Sequence, residues 1–316
     1  METTNYIVSM SPHLRGANST EQMMLTFIIG LIPASVVAIY LFGIKSLIIM
    51  VLSMTSAVIV EAVIEKLTNK KLTYRDCHAI LTGLLLALIL PPSVPWWIPV
   101  IGASVAIILG KMVFGGLGNY PFNPPLVAWV VLKLSWPERM TLFFEPHTQS
   151  EILTPLMAIK EDPSLFYSYD MIDLFLGQKA GPIGCVCGLA VLIGAIFILY
   201  RGIIRWHIPI SFLFGVAIFS AILNLINPDL YPPVIFHLIS GGVLLGAFFI
   251  APEPVTSPVT PKGMLLFGAL AGILTMIIRM WGAYPDGTFY AILIMNAATP
   301  LFNYLKPKEY GRIKSA

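Results

Sequence analysis

Glu253 stands between two prolines in Ala251-Pro252-Glu253-Pro254, and Thr256, Ser257, Pro258, Thr260 and Pro261 follow it. A carboxylate and nearby hydroxyls in this spacing could coordinate a solute or shape an ion path. Prolines remove backbone donors and clash with helical carbonyls, so no regular helix runs through 252–258. Non-helical backbone at membrane depth is tolerated only where protein buries it or a polar cavity lies beside it. The stretch therefore reads either as an intramembrane site or as a loop at the membrane surface. Intramembrane acids are costly and usually functional, and Glu253 is the acid best placed to be one.

A second polar group falls in GKMVFGGLGNYPFNPP from Gly110 to Pro125, where Lys111, Asn119 and Asn123 accompany several glycines. The glycine spacing fits neither a P-loop nor a dinucleotide fingerprint, and no strand precedes it. In a membrane protein such glycines let backbones approach, and Lys111 and Asn123 offer polar contacts near a span end. Lys111 is equally expected to snorkel to the cytoplasmic interface. Asp286 sits in a Tyr-Pro-Asp-Gly turn, and Asn296 and Asn303 beyond it can hydrogen-bond between helices. His78 and His237 open apolar runs, where an interfacial histidine is the ordinary reading. Cys185 and Cys187, one residue apart, are half of a metal or cluster site at best. Inert thiols at a packed interface are the commoner case, and the reading assigns no metal site and no catalytic residue.

The elements that must position these groups are membrane spans. The chain has 316 residues, 57% of them hydrophobic and 11% charged, with a mean hydropathy of +0.84, against about 25% charged in soluble domains. Spans need about 20 apolar residues. Ten candidates follow, near 23–43, 46–65, 77–91, 96–113, 122–136, 183–200, 208–226, 235–251, 263–281 and 288–305. With the N-terminus in the cytoplasm, Lys66, Lys70, Lys71 and Arg75 fall on the cytoplasmic side. Arg201 and Arg205, Lys262, and Lys306, Lys308, Arg312 and Lys314 join them there, as the positive-inside rule requires. These clusters mark topology in a lipid-embedded protein and exclude a nucleic-acid partner. The acidic segment 137–182 is placed outside by the span count alone.

An internal repeat supports the plan. HAILTGLLLA from His78 and HLISGGVLLG from His237 align at an offset of 159, and each runs into prolines. Both copies fall in the third span of a five-span half. Five is odd, so the halves, 1–136 and 183–305, would be inverted repeats flanking the 137–182 loop, with 306–316 as a cytoplasmic tail. The fold expected is thus an all-α integral membrane protein of about ten transmembrane helices, with Pro/Gly-broken segments facing a shared centre. Inverted repeats alone favour a secondary transporter or channel without redox chemistry.

Five blocks in order carry a stronger signal: LTGLLLALILPPSVPWWIP from Leu81, GKMVFGGLGNYPFNPP, DLFLG from Asp173, the His237–Gly263 stretch, and YPDGTFYAILIMN from Tyr284. Through them the chain resembles the D subunit of the Rnf electron-transport complex, and more distantly the B subunit of the sodium-pumping NADH:quinone reductase. The resemblance implies membership of a cytoplasmic-membrane complex with about six kinds of subunit. That complex passes electrons between ferredoxin and NAD and moves sodium or protons. It also implies FMN bound through its phosphate to a threonine of the external loop. The matching place here is Thr154 in Glu151-Ile152-Leu153-Thr154-Pro155-Leu156, where Ile152 and Leu153 replace small residues and are expected to crowd the hydroxyl. A second, non-covalent flavin (riboflavin or FMN) between the repeats is implied as well, without assigned ligands. Two departures stand out: Pro252 replaces a hydroxyl residue of the family, and Cys185-Val186-Cys187 replaces a stretch that carries an acid.

Overall fold

The computed structural model describes residues 19–68, 76–146 and 150–305. Lys70, Lys71, Arg75 and the 306–316 tail lie outside the described residues. All ten expected spans appear as helical segments, but among the described residues only five helices are long and apolar enough to cross a membrane. The first two are α1 (Thr20–Phe42) and α2 (Ile44–Leu67). α1 starts on a capping box between Ser19 and Gln22. A single residue, Gly43 at φ 71°, turns it into α2, a positive φ that glycine adopts without strain.

The third expected span is shorter than predicted. α3 (His78–Ile89) has 12 residues, about 18 Å at 1.5 Å per residue, against a hydrocarbon core of about 30 Å. Eleven of those residues are buried, as expected for a helix apolar on every side. Its C-terminal carbonyls would be orphaned by Pro91 and Pro92. They are met instead by the chain entering the second half: Gly184 N–H donates to Leu88 O at 2.7 Å and Ile183 N–H to Leu90 O at 3.0 Å. Residues 183–187 are thereby committed to pairing with α3, and the sixth expected span begins its helix at Gly188 rather than at 183. A Cβ on Gly184 would lie 2.6 Å from that of Leu88, so the close approach depends on glycine.

α4 (Trp97–Ile108) continues through a 3₁₀ turn at Met112–Phe114. α5 (Pro124–Ser135) is capped by Asn123. The described residues of the 137–182 segment form a folded cap rather than a bare loop. An isolated antiparallel bridge joins Phe144 and Glu151. After it come α6 (Pro155–Glu161), a 3₁₀ turn at Pro163–Ser168, and α7 (Met171–Leu176). Leu156, Ile159, Phe166 and Leu174 bury against Phe236.

The second half holds α8 (Gly188–Tyr200), α9 (His207–Ile226), α10 (Val234–Ile239), α11 (Val243–Leu245), α12 (Pro261–Trp281) and α13 (Thr288–Asn303). The eighth expected span is thus broken twice. Ser240-Gly241-Gly242 separates α10 from α11, with Gly241 at φ 68°, and a π-helical turn at Gly246–Ile250 follows.

The two halves pack alike: α2 lies on α3 and α4, and α4 on α5; α9 lies on α10 and α12, and α12 on α13. Across the halves, α1 meets α8 and α5 meets α13. At the α1–α8 crossing a Cβ on Gly194 would fall 1.8 Å from the Gly30 carbonyl oxygen. The outer faces, including Ile29, Val36, Ile59 and Ile196, are exposed and apolar, and suit lipid.

Candidate functional site

Two polar clusters sit at opposite ends of the bundle, each beside one of the proline or glycine breaks. The first gathers around Glu253, which the π-helical turn delivers to the start of α3 and the loop before α5. Tyr120 O–H donates to Glu253 Oε1. Asn123 Nδ2 and Thr256 Oγ1 each donate to Oε2 at 2.9 Å. His78 Nε2 lies 2.8 Å from the Tyr120 oxygen and 3.9 Å from Glu253 Oε1. Since the tyrosine proton is directed to the carboxylate, the histidine N–H donates to the tyrosine, and its Nδ1 faces Thr82 Oγ1 at 3.3 Å. Asn296 and Thr299 of α13 both donate to Thr256 O, at 3.3 and 2.8 Å. Asn123 N–H donates to Asn296 Oδ1 at 3.2 Å. This network ties α3, α5 and α13 to the 252–258 break. Arg205 reaches Val259 O at 3.4 Å, so the break and the basic α8–α9 connection share one end of the bundle.

Four of the residues chosen from sequence, Asn123, Glu253, Thr256 and Asn296, therefore meet in one cluster. Ser257 is buried beside it and bonds through its backbone N–H to Glu253 O at 3.1 Å. Asn119 is exposed and lies apart. Lys111 does not snorkel. Its ammonium is 2.6 Å from Glu61 Oε1 of α2, both side chains are 1% exposed, and a cation buried this deeply must be paired. Sequence reasoning passed over Glu61 and Tyr120, and took His78 for an interfacial residue. A charged residue inside each of two apolar segments was the available signal for the Glu61–Lys111 pair.

The second cluster explains how the chain tolerates the break at Ser240–Gly242. Arg279, whose side chain is fully buried, donates to His237 O at 2.8 Å and to Ser240 O at 2.9 Å. Lys179 Nζ donates to Ile239 O. Two cations thus take the carbonyls that α10 leaves unpaired, where the helix dipole is negative. Asp286 accepts from Arg279 Nη2 at 3.0 Å and from Gly242 N–H, at the start of α11, at 2.7 Å. Burial opposes ionisation of Asp286, but the Arg279 guanidinium and the Gly242 and Thr288 donors hold its carboxyl below the usual range. Burial pulls Lys179 down to about 8. Arg279 and Lys179 were both missed. Gly118, Tyr120 and Pro121 recur as Gly282, Tyr284 and Pro285 at an offset of 164, a second trace of the repeat that marks both clusters.

Beside this second cluster lies a cavity of about 70 Å³, lined by Thr154, Lys133, Lys179, Cys185, Asp286 and aromatic residues. Trp129 meets Tyr290 edge-on at 4.9 Å between centroids, and Tyr284 stacks on Tyr290 at 4.5 Å. Thr154 caps α6, its oxygen accepting from Met157 N–H at 3.3 Å. Ile152 and Leu153 are 48% and 42% exposed, so neither side chain is packed inward. Cys185 and Cys187 are both buried and form no disulfide.

The model of the NQR2, RnfD, RnfE family matches residues 7–311. The chain is 42% identical over 318 residues to the D subunit of the Na(+)-translocating ferredoxin:NAD(+) oxidoreductase complex of Acetobacterium woodii, covering 99% of this chain and 98% of that protein. It is 36% identical over 347 residues to the D subunit of the ion-translocating oxidoreductase complex of Salmonella paratyphi A, covering 97% and 99%. The Salmonella typhi protein of the same name is 35% identical over equal spans. Matched from end to end by the family model and by these relatives, the chain belongs to the NQR2, RnfD, RnfE family.

Proposed function

We propose that this chain is the D subunit of an Rnf-type complex that couples electron transfer between ferredoxin and NAD to translocation of sodium ions or protons. The observation that carries this reading is the 42% identity, along its whole length, to a relative named for that activity. The chain works with the other members of the complex in the cytoplasmic membrane, with both termini cytoplasmic and the 137–182 cap on the outer side. The helix ends bearing Lys66, Arg201, Arg205 and Lys262 sit at the end of the bundle that holds the Glu253 cluster, in keeping with that orientation.

The chain carries FMN through Thr154. Three features support this assignment: Thr154 is half-buried, it lines an aromatic-walled cavity, and lysines line that cavity too. Flavin supplies one- and two-electron transfer, and the protein sets its position and electrostatic surroundings. The space beside Glu253 does not take the second, non-covalent flavin that the resemblance implies. The cavity beside Glu253 has about 20 Å³, room for roughly one water, and its polar groups bond to one another.

In-gel ultraviolet fluorescence of the denatured chain tests the covalent flavin. Fluorescence is expected from cells that hold the flavin-attaching enzyme, together with an intact mass raised by one FMN phosphoester, and Thr154→Ala abolishes both. A dark wild-type band from such cells refutes the attachment. For complex membership, a tagged chain is expected to co-purify ferredoxin:NAD oxidoreductase activity. Purified protein that catalyses solute flux with neither flavin nor partners would return the chain to the transporter reading.

A further inference from the structure

The cavity behind Thr154 is unbalanced in charge. Four charged side chains stand at it or against it: Lys133, Lys179, Asp286 and Arg279. Arg279 and Asp286 satisfy each other at 3.0 and 3.2 Å. Lys133 and Lys179 do not have that relief. Among the described residues neither has a carboxylate within ion-pair distance. Each ammonium is held only by a carbonyl, Lys133 by Met140 O at 2.9 Å and Lys179 by Ile239 O. Lys179 is 6% exposed and Lys133 is half-buried. A buried ammonium loses more by leaving water than a single carbonyl returns, and the deficit is removed by an anion. The two lysines enter from different elements, α5 and the end of the cap, and line one cavity that also admits Thr154. At about 70 Å³ the space is of the order of a phosphate-sized group.

We propose that Lys133 and Lys179 form an anion seat for a phosphate group at the cavity whose rim carries Thr154, and that the phosphodiester of Thr154-linked flavin fills it. The occupant rests on the covalent-flavin reading; the seat rests on the two lysines that lack a carboxylate. A phosphodiester keeps one negative charge and two non-bridging oxygens, enough to accept one hydrogen bond from each ammonium. Lysine suits this task as a compact point charge with rotatable donors. The seat gives the modified loop a fixed anchor, and it gives one buried and one half-buried cation a counter-charge within ion-pair distance.

The test uses the whole complex, prepared from cells with and without the flavin-attaching enzyme. The melting temperature of the D subunit is followed against inorganic phosphate, with chloride at matched ionic strength as the reference. Phosphate stabilises most proteins by surface exclusion, without saturation; a seat adds a saturable rise. The unmodified wild type is expected to show that saturable rise. Lys133→Gln, at a half-buried position that tolerates an amide, loses it, Lys179→Gln loses it too, and Lys179→Arg keeps it. Flavin-bearing wild type shows none, because its own phosphate occupies the seat. A wild type without a saturable response, or one that Lys133→Gln reproduces in full, overturns the seat. A full response from the flavin-bearing chain overturns the assigned occupant. If intact mass shows no FMN on any preparation, the covalent reading fails by itself, and the unmodified series still decides the seat.

Discussion

The buried Lys111–Glu61 pair joins the end of α4 to α2 where neither residue can reach water. Glu61→Gln keeps the shape of the side chain and removes its charge, leaving the Lys111 ammonium, 1% exposed, without its counter-ion. Breaking a buried pair from one side costs about 3–5 kcal/mol, because the surviving charge stays desolvated. At 1.36 kcal/mol per tenfold, that is roughly a 150- to 5,000-fold shift toward the disordered or degraded chain. Lys111→Met strands the carboxylate of Glu61 instead and is expected to cost a similar amount. Replacing both, Lys111→Met with Glu61→Leu, removes both desolvation penalties, and such replacements are often neutral or stabilising. The double variant is therefore expected to melt above either single variant. Thermal unfolding of the D subunit in the detergent-solubilised complex, read beside its abundance in the membrane, measures the series. Single variants that each lose less than about 1 kcal/mol, as exposed pairs do, would refute the burial argument. A double variant as unstable as the sum of the singles would refute the pairing.

The remaining predictions concern the two clusters and the helix crossings. Asp286→Asn leaves the Arg279 guanidinium buried and uncompensated, and is expected to cost about 3–5 kcal/mol, seen as protease sensitivity near Ser240–Gly242 before the rest of the chain unfolds. In the folded chain without flavin, Lys179 is pulled down to about 8 from a reference of 10.5. Its unfolded state therefore binds more protons between those values, and stability rises with pH across that window by up to about 3 kcal/mol; a melting temperature flat from pH 8 to 10.5, or a rise that persists in Lys179→Met, contradicts the assignment. Tyr120→Phe deletes the donor to Glu253 and the acceptor for His78, at about 1–3 kcal/mol for the groups left unsatisfied, measurable by thermal unfolding and by any loss of ion transport at constant electron transfer. Gly194→Leu drives a side chain into the Gly30 carbonyl at the α1–α8 crossing, and loss of the protein from the membrane fraction is the expected result.

Much of this architecture follows from local chemistry. Apolar runs, basic clusters between them and the prolines after α3 and the π-helical turn prescribe a helical membrane protein with two interrupted elements, because lipid offers no partner to an exposed backbone. The His78 and His237 repeats mark those elements, and their helices pack on α2 and α9 respectively. The ordered five blocks carry the family. Sequence alone also singled out Glu253, Asn123, Thr256 and Asn296, since polar residues inside apolar segments must find one another.

Only the tertiary structure decided which partners they found. Glu253 and Tyr120 are 133 residues apart in the chain, and nothing local says that a π-helical turn brings them into contact. The short third helix is stable because residues 183–184, from the other half, supply the N–H groups its prolines withhold. Lys111 reads as a snorkelling interfacial residue until Glu61 is seen beside it. Arg279 draws no notice in the sequence, yet its guanidinium fills the break in the eighth element. Periodicity and composition specify which faces must be buried. The pairing of buried charges and orphaned carbonyls is a long-range matter of packing, settled by which helix ends the repeat brings together.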